Sequence, residues 1–78
     1  MRSLREIATE IRIIWSQQGK GVNFAARPYL EAMLELESID DQYYAEDART
    51  QVRYFLANAA SFKGSDARRL KDELRAML

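Results

Sequence analysis

Apolar side chains recur at helical spacing along most of this chain, and no run alternates apolar and polar residues as a half-buried strand would. Leu4, Ile7, Ala8, Ile11, Ile14 and Trp15 fall in one narrow arc, which predicts a first helix with a buried stripe. Its start is marked by Ser3 and Glu6 at the spacing of a capping box, where hydroxyl and carboxylate each accept from the other residue's backbone amide. Ile13 falls on the opposite side, among Glu6, Thr9, Glu10 and Gln17, and is apolar where water is expected. Gln17-Gln18-Gly19-Lys20-Gly21 closes this helix, because glycine accepts the left-handed backbone of a helix end.

Asn23 is the next capping residue, and Pro28 fits the first turn of a second helix, where a missing amide hydrogen matters least. Ala26, Tyr29, Leu30, Met33, Leu34 and Leu36 give it a broad apolar arc, with Glu31 and Glu35 one turn apart on the wet side. Ser38 to Tyr44 reads as a connector, with Asp40-Asp41 in a turn and Ile39 and one or both tyrosines directed inward. A third helix is predicted from near Ala45, with Glu46 and Asp47 in its first turn. Its core face is Ala48, Val52, Phe55, Leu56 and Ala59, and Tyr54 points away. The pattern breaks over Asn58 to Gly64, and either Ser61 or Ser65 caps a fourth helix running to the end of the chain. That helix directs Ala67, Leu70, Leu74, Met77 and Leu78 inward and carries Arg68–Asp72 and Arg69–Glu73 as one-turn pairs.

The elements predict an all-α fold, a compact bundle of three to four short helices with antiparallel neighbours, in a single domain over residues 1–78. A core of that size rarely supplies more than about 3–5 kcal/mol without a disulfide, a metal or a second copy. There is no cysteine and no histidine, which leaves self-association and makes a homo-oligomer an expected state. No apolar run has the length of a membrane span, and the opening residues lack a secretion signal, so a cytoplasmic protein away from membranes is expected.

Charge changes the picture more than composition does. Twelve basic and twelve acidic residues cancel, yet Pro28 to Asp47 holds seven carboxylates (Glu31, Glu35, Glu37, Asp40, Asp41, Glu46, Asp47) and no cation. The remaining segments are correspondingly basic, so the folded surface should be polarised.

The inventory argues against an enzyme. General acid–base chemistry leans on histidine and nucleophilic chemistry on an activated cysteine, serine or lysine. Ser3, Ser38, Ser61 and Ser65 all stand where caps and turns want hydroxyls, and a glycosidase-like carboxylate pair needs a cleft this short chain can scarcely build. The acidic connector lacks the glycine-centred calcium loop, and Gly19-Lys20-Gly21 lacks the spacing, the following hydroxyl residue and the preceding strand of a phosphate loop. No metal and no cofactor is expected. Arg49 and Arg53 on the third helix and Arg68, Arg69, Lys71 and Arg75 on the fourth supply charge for phosphates, but Asp66, Asp72 and Glu73 interleave with the last group. Tyr43, Tyr44, Tyr54 and Ile13 are side chains that interfaces favour, whereas Trp15 belongs on the core stripe.

Pro28-Tyr29-Leu30-Glu31-Ala32-Met33, Ser38-Ile39-Asp40-Asp41, Val52 to Ala59, Lys63-Gly64 and Ala67 to Leu74 together resemble small proteins of no assigned activity encoded by bacteriophages of actinobacteria. The resemblance covers most of the chain and implies a cytoplasmic protein of an infected host; it transfers no functional residue. The expected function is therefore a small non-enzymatic protein-interaction module, a phage accessory protein that binds itself or a host protein. Ile13, Glu31, Glu35, Asp40, Asp41 and Tyr54 are the candidate partner-binding residues. The alternative is a nucleic-acid-binding or DNA-mimicking regulatory protein.

Overall fold

The computed structural model describes residues 2–78. Four helices and one minimal hairpin follow in the order α1 (Leu4–Trp15), α2 (Arg27–Leu34), β1 (Gln42–Tyr43), β2 (Glu46–Asp47), α3 (Ala48–Ala57) and α4 (Ser65–Met77). The fold is thus mostly α, as the periodicity predicts. Helix α1 packs against both α2 and α4, and α2 packs in turn against α3.

The capping box forms as read: the Glu6 amide donates to Ser3 Oγ at 3.1 Å and the Ser3 amide to Glu6 Oε1 at 3.0 Å. Leu4, Ile7, Ala8, Ile11 and Trp15 are buried, and Ile14 is half-buried against them. Two contacts orient α1 on α2. The Leu4 amide donates to the Glu37 carbonyl, and Arg5 Nε donates to the Leu34 carbonyl at the end of α2 while its guanidinium pairs with Glu37.

Several boundaries differ from the sequence expectation. Asn23 caps the turn before α2 and not the helix itself: its carbonyl accepts from the Ala26 and Arg27 amides, and Ala26 is the N-cap residue. Helix α3 begins at Ala48 and not near Ala45, because residues 42–47 fold back as the hairpin. Glu46 therefore lies in β2, and Asp47 is the N-cap, accepting from the Thr50 amide at 2.8 Å. Neither Ser61 nor Ser65 caps α4; Gly64 takes that position with no side-chain cap. At the other end Leu78 is 43 % exposed and not inward, since the helix has run past the core. Arg69 pairs with Glu73 as expected, but Asp72 turns to Arg75 at 3.0 Å and not to Arg68.

The largest departure is Phe62, which lies in the break between α3 and α4 and is fully buried. It stacks on Trp15 with ring centroids 5.1 Å apart, while Phe55 meets the same indole edge-on at 6.0 Å. Gln18 holds the loop in place by donating to the Lys63 carbonyl (2.8 Å) and accepting from the Lys63 amide (3.2 Å).

Charge also ties the chain start to α4. Glu10 accepts from Arg2 (2.7 Å) and from Arg69, and Glu73 accepts from Arg2 (2.6 Å). Hydrogen bonds from Arg69 and Arg2 hold Glu10 below the usual carboxylate range, and the Ser3 and Thr50 caps do the same for Glu6 and Asp47. A carboxylate depressed in the folded state contributes stability that is complete above its unfolded value and is lost as pH falls through the folded one. Urea midpoints should accordingly drop below about pH 4. Glu10→Gln should be less stable than wild type at neutral pH, and the two curves should converge in acid. Parallel curves would show that Glu10 carries none of the dependence.

Candidate functional site

The acidic segment between α2 and α3 is fixed largely by its own side chains. Asp41 Oδ2 accepts from the amides of Glu37 (3.1 Å) and Ser38 (3.0 Å), and Ser38 Oγ accepts from the Asp40 amide, which closes the turn at residues 37–41. Arg49, in the first turn of α3, donates to Asp40 at 2.9 Å, and Gln51 donates to Glu46 at 3.1 Å. Most of the carboxylates that make this stretch conspicuous thus have a local structural task. Glu31 and Glu35 remain exposed on and just beyond α2.

The hairpin pairs Gln42 with Asp47 and Tyr43 with Glu46, leaving Tyr44-Ala45 as a two-residue turn. Tyr44 adopts φ +57°, the only positive value among the described non-glycine residues, and is 84 % exposed. Two-residue hairpin turns usually place Gly, Asn or Asp at positions of positive φ, since a bulky side chain there is strained. Tyr43 lies edge-on to Tyr44 at 4.7 Å, and its hydroxyl donates to Glu35 Oε2 at 3.1 Å. That hydrogen bond raises the phenol above its ordinary value, with smaller contributions from burial and from the charges of Glu35 and Glu31.

The other two tyrosines form a second pair. Tyr29 in α2 and Tyr54 in α3 stack at 5.3 Å, with Tyr54 48 % exposed. All four tyrosines of the chain thus fall in two aromatic pairs, one between α2 and α3 and one in the hairpin that leads into α3. Of the residues singled out in the sequence, Tyr54 is half of the pair between the helices, Glu35 adjoins the hairpin pair through Tyr43, and Glu31 shares a depression with Arg12, Lys20 and Arg27. Asp40 and Asp41 lie in the turn before the hairpin, engaged as described. Ile13, 54 % exposed, adjoins neither pair: it sits on α1 in a shallow depression with Arg2, Arg5, Glu6, Thr9 and Glu10.

Sequence reading missed the Tyr29–Tyr54 pair, because Tyr29 falls on the apolar arc of its helix. It also missed Phe24, 82 % exposed in the loop before α2, for which periodicity offers no signal. A concavity of about 460 Å³ beside Phe24 is lined by Trp15, Gln18 to Phe24, Arg27 and Ser61. Lys20 and Arg27 are its only ionisable groups, with no acid or base facing them to complete a catalytic set. Among the described residues no three carboxylates converge as metal ligands, and no helix is long and apolar enough to cross a membrane. Comparison with protein-family models, with curated proteins and with solved structures finds no match.

Proposed function

We propose that this protein is a small non-enzymatic interaction module that receives a protein partner on the tyrosine-bearing face of α2, the hairpin and α3. The observation that carries the reading is Tyr44. A large aromatic ring stands mostly in solvent at a backbone conformation that glycine would adopt more cheaply, and strain of this kind gathers where a side chain serves recognition. Tyrosine supplies contact area with few rotors to freeze and a hydroxyl to satisfy, which suits it to the centre of an interface. Glu35 adjoins the Tyr43 ring, with Glu31 one turn before it, and the two carboxylates favour a partner with basic residues at its rim. The partner is a host protein or a second copy of the chain, and the role of a cytoplasmic phage accessory protein rests on the sequence resemblance.

Tyr44→Gly separates recognition from folding. Relief of the positive φ should leave the melting temperature unchanged or raise it, while loss of the ring weakens association by about 2 kcal/mol, roughly thirtyfold in Kd. Association is read by sedimentation equilibrium for self-binding and by quantitative capture from an actinobacterial lysate for a host partner. Tyr54→Ala should weaken the same association. If both variants associate as wild type does in both measurements, the tyrosine face is not the interaction surface.

A further inference from the structure

Helix α4 sorts its charges onto two faces, which its sequence alone interleaves. Arg69 meets Glu10, Asp66 (3.2 Å) and Glu73 (3.5 Å), so the face turned toward α1 is neutralised. Arg68 and Lys71, three residues apart, and Lys63 from the preceding loop form no ion pair among the described residues; Arg75, one turn further on, is paired with Asp72. These four cations line a cleft of about 370 Å³ over Phe62 and Ala67, and no carboxylate shares the lining. Lys71 donates to the Phe62 carbonyl at 2.8 Å with its ammonium 5.7 Å from the Phe62 ring. Burial lowers its pKa, and repulsion from Arg75 and Lys63 lowers it further, as expected where like charges gather.

We propose that this cleft binds the phosphate backbone of double-stranded nucleic acid without reading its bases. Arg68 to Arg75 extends about 10 Å along the helix axis at 1.5 Å per residue, longer than one phosphate group. Phosphates follow one another every ~3.4 Å of axial rise along a strand, so a run of them matches the stripe. The only aromatic ring in the cleft, Phe62, is buried, which leaves no platform for stacking unpaired bases. No large exposed apolar side chain lines the cleft to enter a bilayer. The acidic connector meets the end of α4, where Met77 shares a depression with Glu37 to Asp40, and contributes no residue to the lining of the cleft. The inference is independent of the tyrosine face and uses none of its residues.

The test is fluorescence anisotropy of a short labelled mixed-sequence DNA duplex titrated at low salt with the full chain. Binding is expected, with log affinity falling against log salt at a slope of about −3, from 0.9 per phosphate at three or four contacts. Lys63→Glu combined with Arg68→Glu should weaken it at least tenfold. Both side chains are exposed and without intramolecular bonds of their own among the described residues, so circular dichroism and melting temperature should stay at wild-type values. Arg53→Glu, on α3, should bind as wild type. Absence of saturable binding at low salt, undiminished binding by the double variant, or equal displacement by a poly-glutamate peptide, which would assign the cleft to acidic proteins, overturns the proposal.

Discussion

Phe62→Ala should destabilise the protein by about 3–5 kcal/mol, the range for deleting a buried aromatic ring. The ring is fully buried and fills the space between the Trp15 indole and the start of α4, so its removal loses transfer free energy and leaves a cavity that Trp15, held edge-on by Phe55, is poorly placed to fill. A core of 78 residues rarely supplies more than about 3–5 kcal/mol in total. The variant should therefore be marginal or unfolded at ordinary temperature. Urea unfolding followed by the fluorescence of Trp15, the only tryptophan, reports this directly, and Phe62→Leu should lose much less because it keeps most of the volume. A loss under about 0.5 kcal/mol for Phe62→Ala, the usual range of surface changes, would mean that the ring is not part of the core.

Gly64→Ala should cost about 1–3 kcal/mol for a different reason. The residue sits at φ +106° and ψ 178°, a region essentially confined to glycine, and it sets the direction in which the chain leaves the Phe62 loop and enters α4. Nothing lies within 4 Å of an added Cβ, so the loss comes from the backbone and not from a clash. Gly19→Ala, also in open space but at φ +42°, near the left-handed helical region, should lose less. Equal losses at the two positions would show that the φ of residue 64 is not what the glycine is there to supply. Because α4 carries Arg68 and Lys71, a weakened Gly64 turn should also loosen the cationic cleft.

Most of the helical plan was legible because it is local. The Ser3–Glu6 box and the Leu4-to-Trp15 stripe lie within a few turns, and period and capping chemistry are properties of neighbouring residues. The hairpin was not legible: Tyr44-Ala45 contains none of the residues that announce a two-residue turn, and Glu46-Asp47 carries the charge pattern of a helix start. The same local logic placed Tyr54 outside the core and identified the acidic tract, but it could not say which carboxylates of that tract would be engaged.

What the sequence determines by itself is the set of amphipathic helices, the segregation of acid into residues 28–47, and the lack of histidine and cysteine on which most catalysis would draw. The tertiary structure alone decides the rest. It buries Phe62 against Trp15, engages Asp40 and Asp41 in the connector, stacks Tyr29 on Tyr54, and turns Arg69 toward Glu10 while leaving Arg68 and Lys71 without an ion pair among the described residues. Apart from the Asp41 turn, which closes on itself, the contacts formed join a side chain to a group from another element or loop. Such pairings depend on how the helices pack, whereas helix formation depends on residues one turn away.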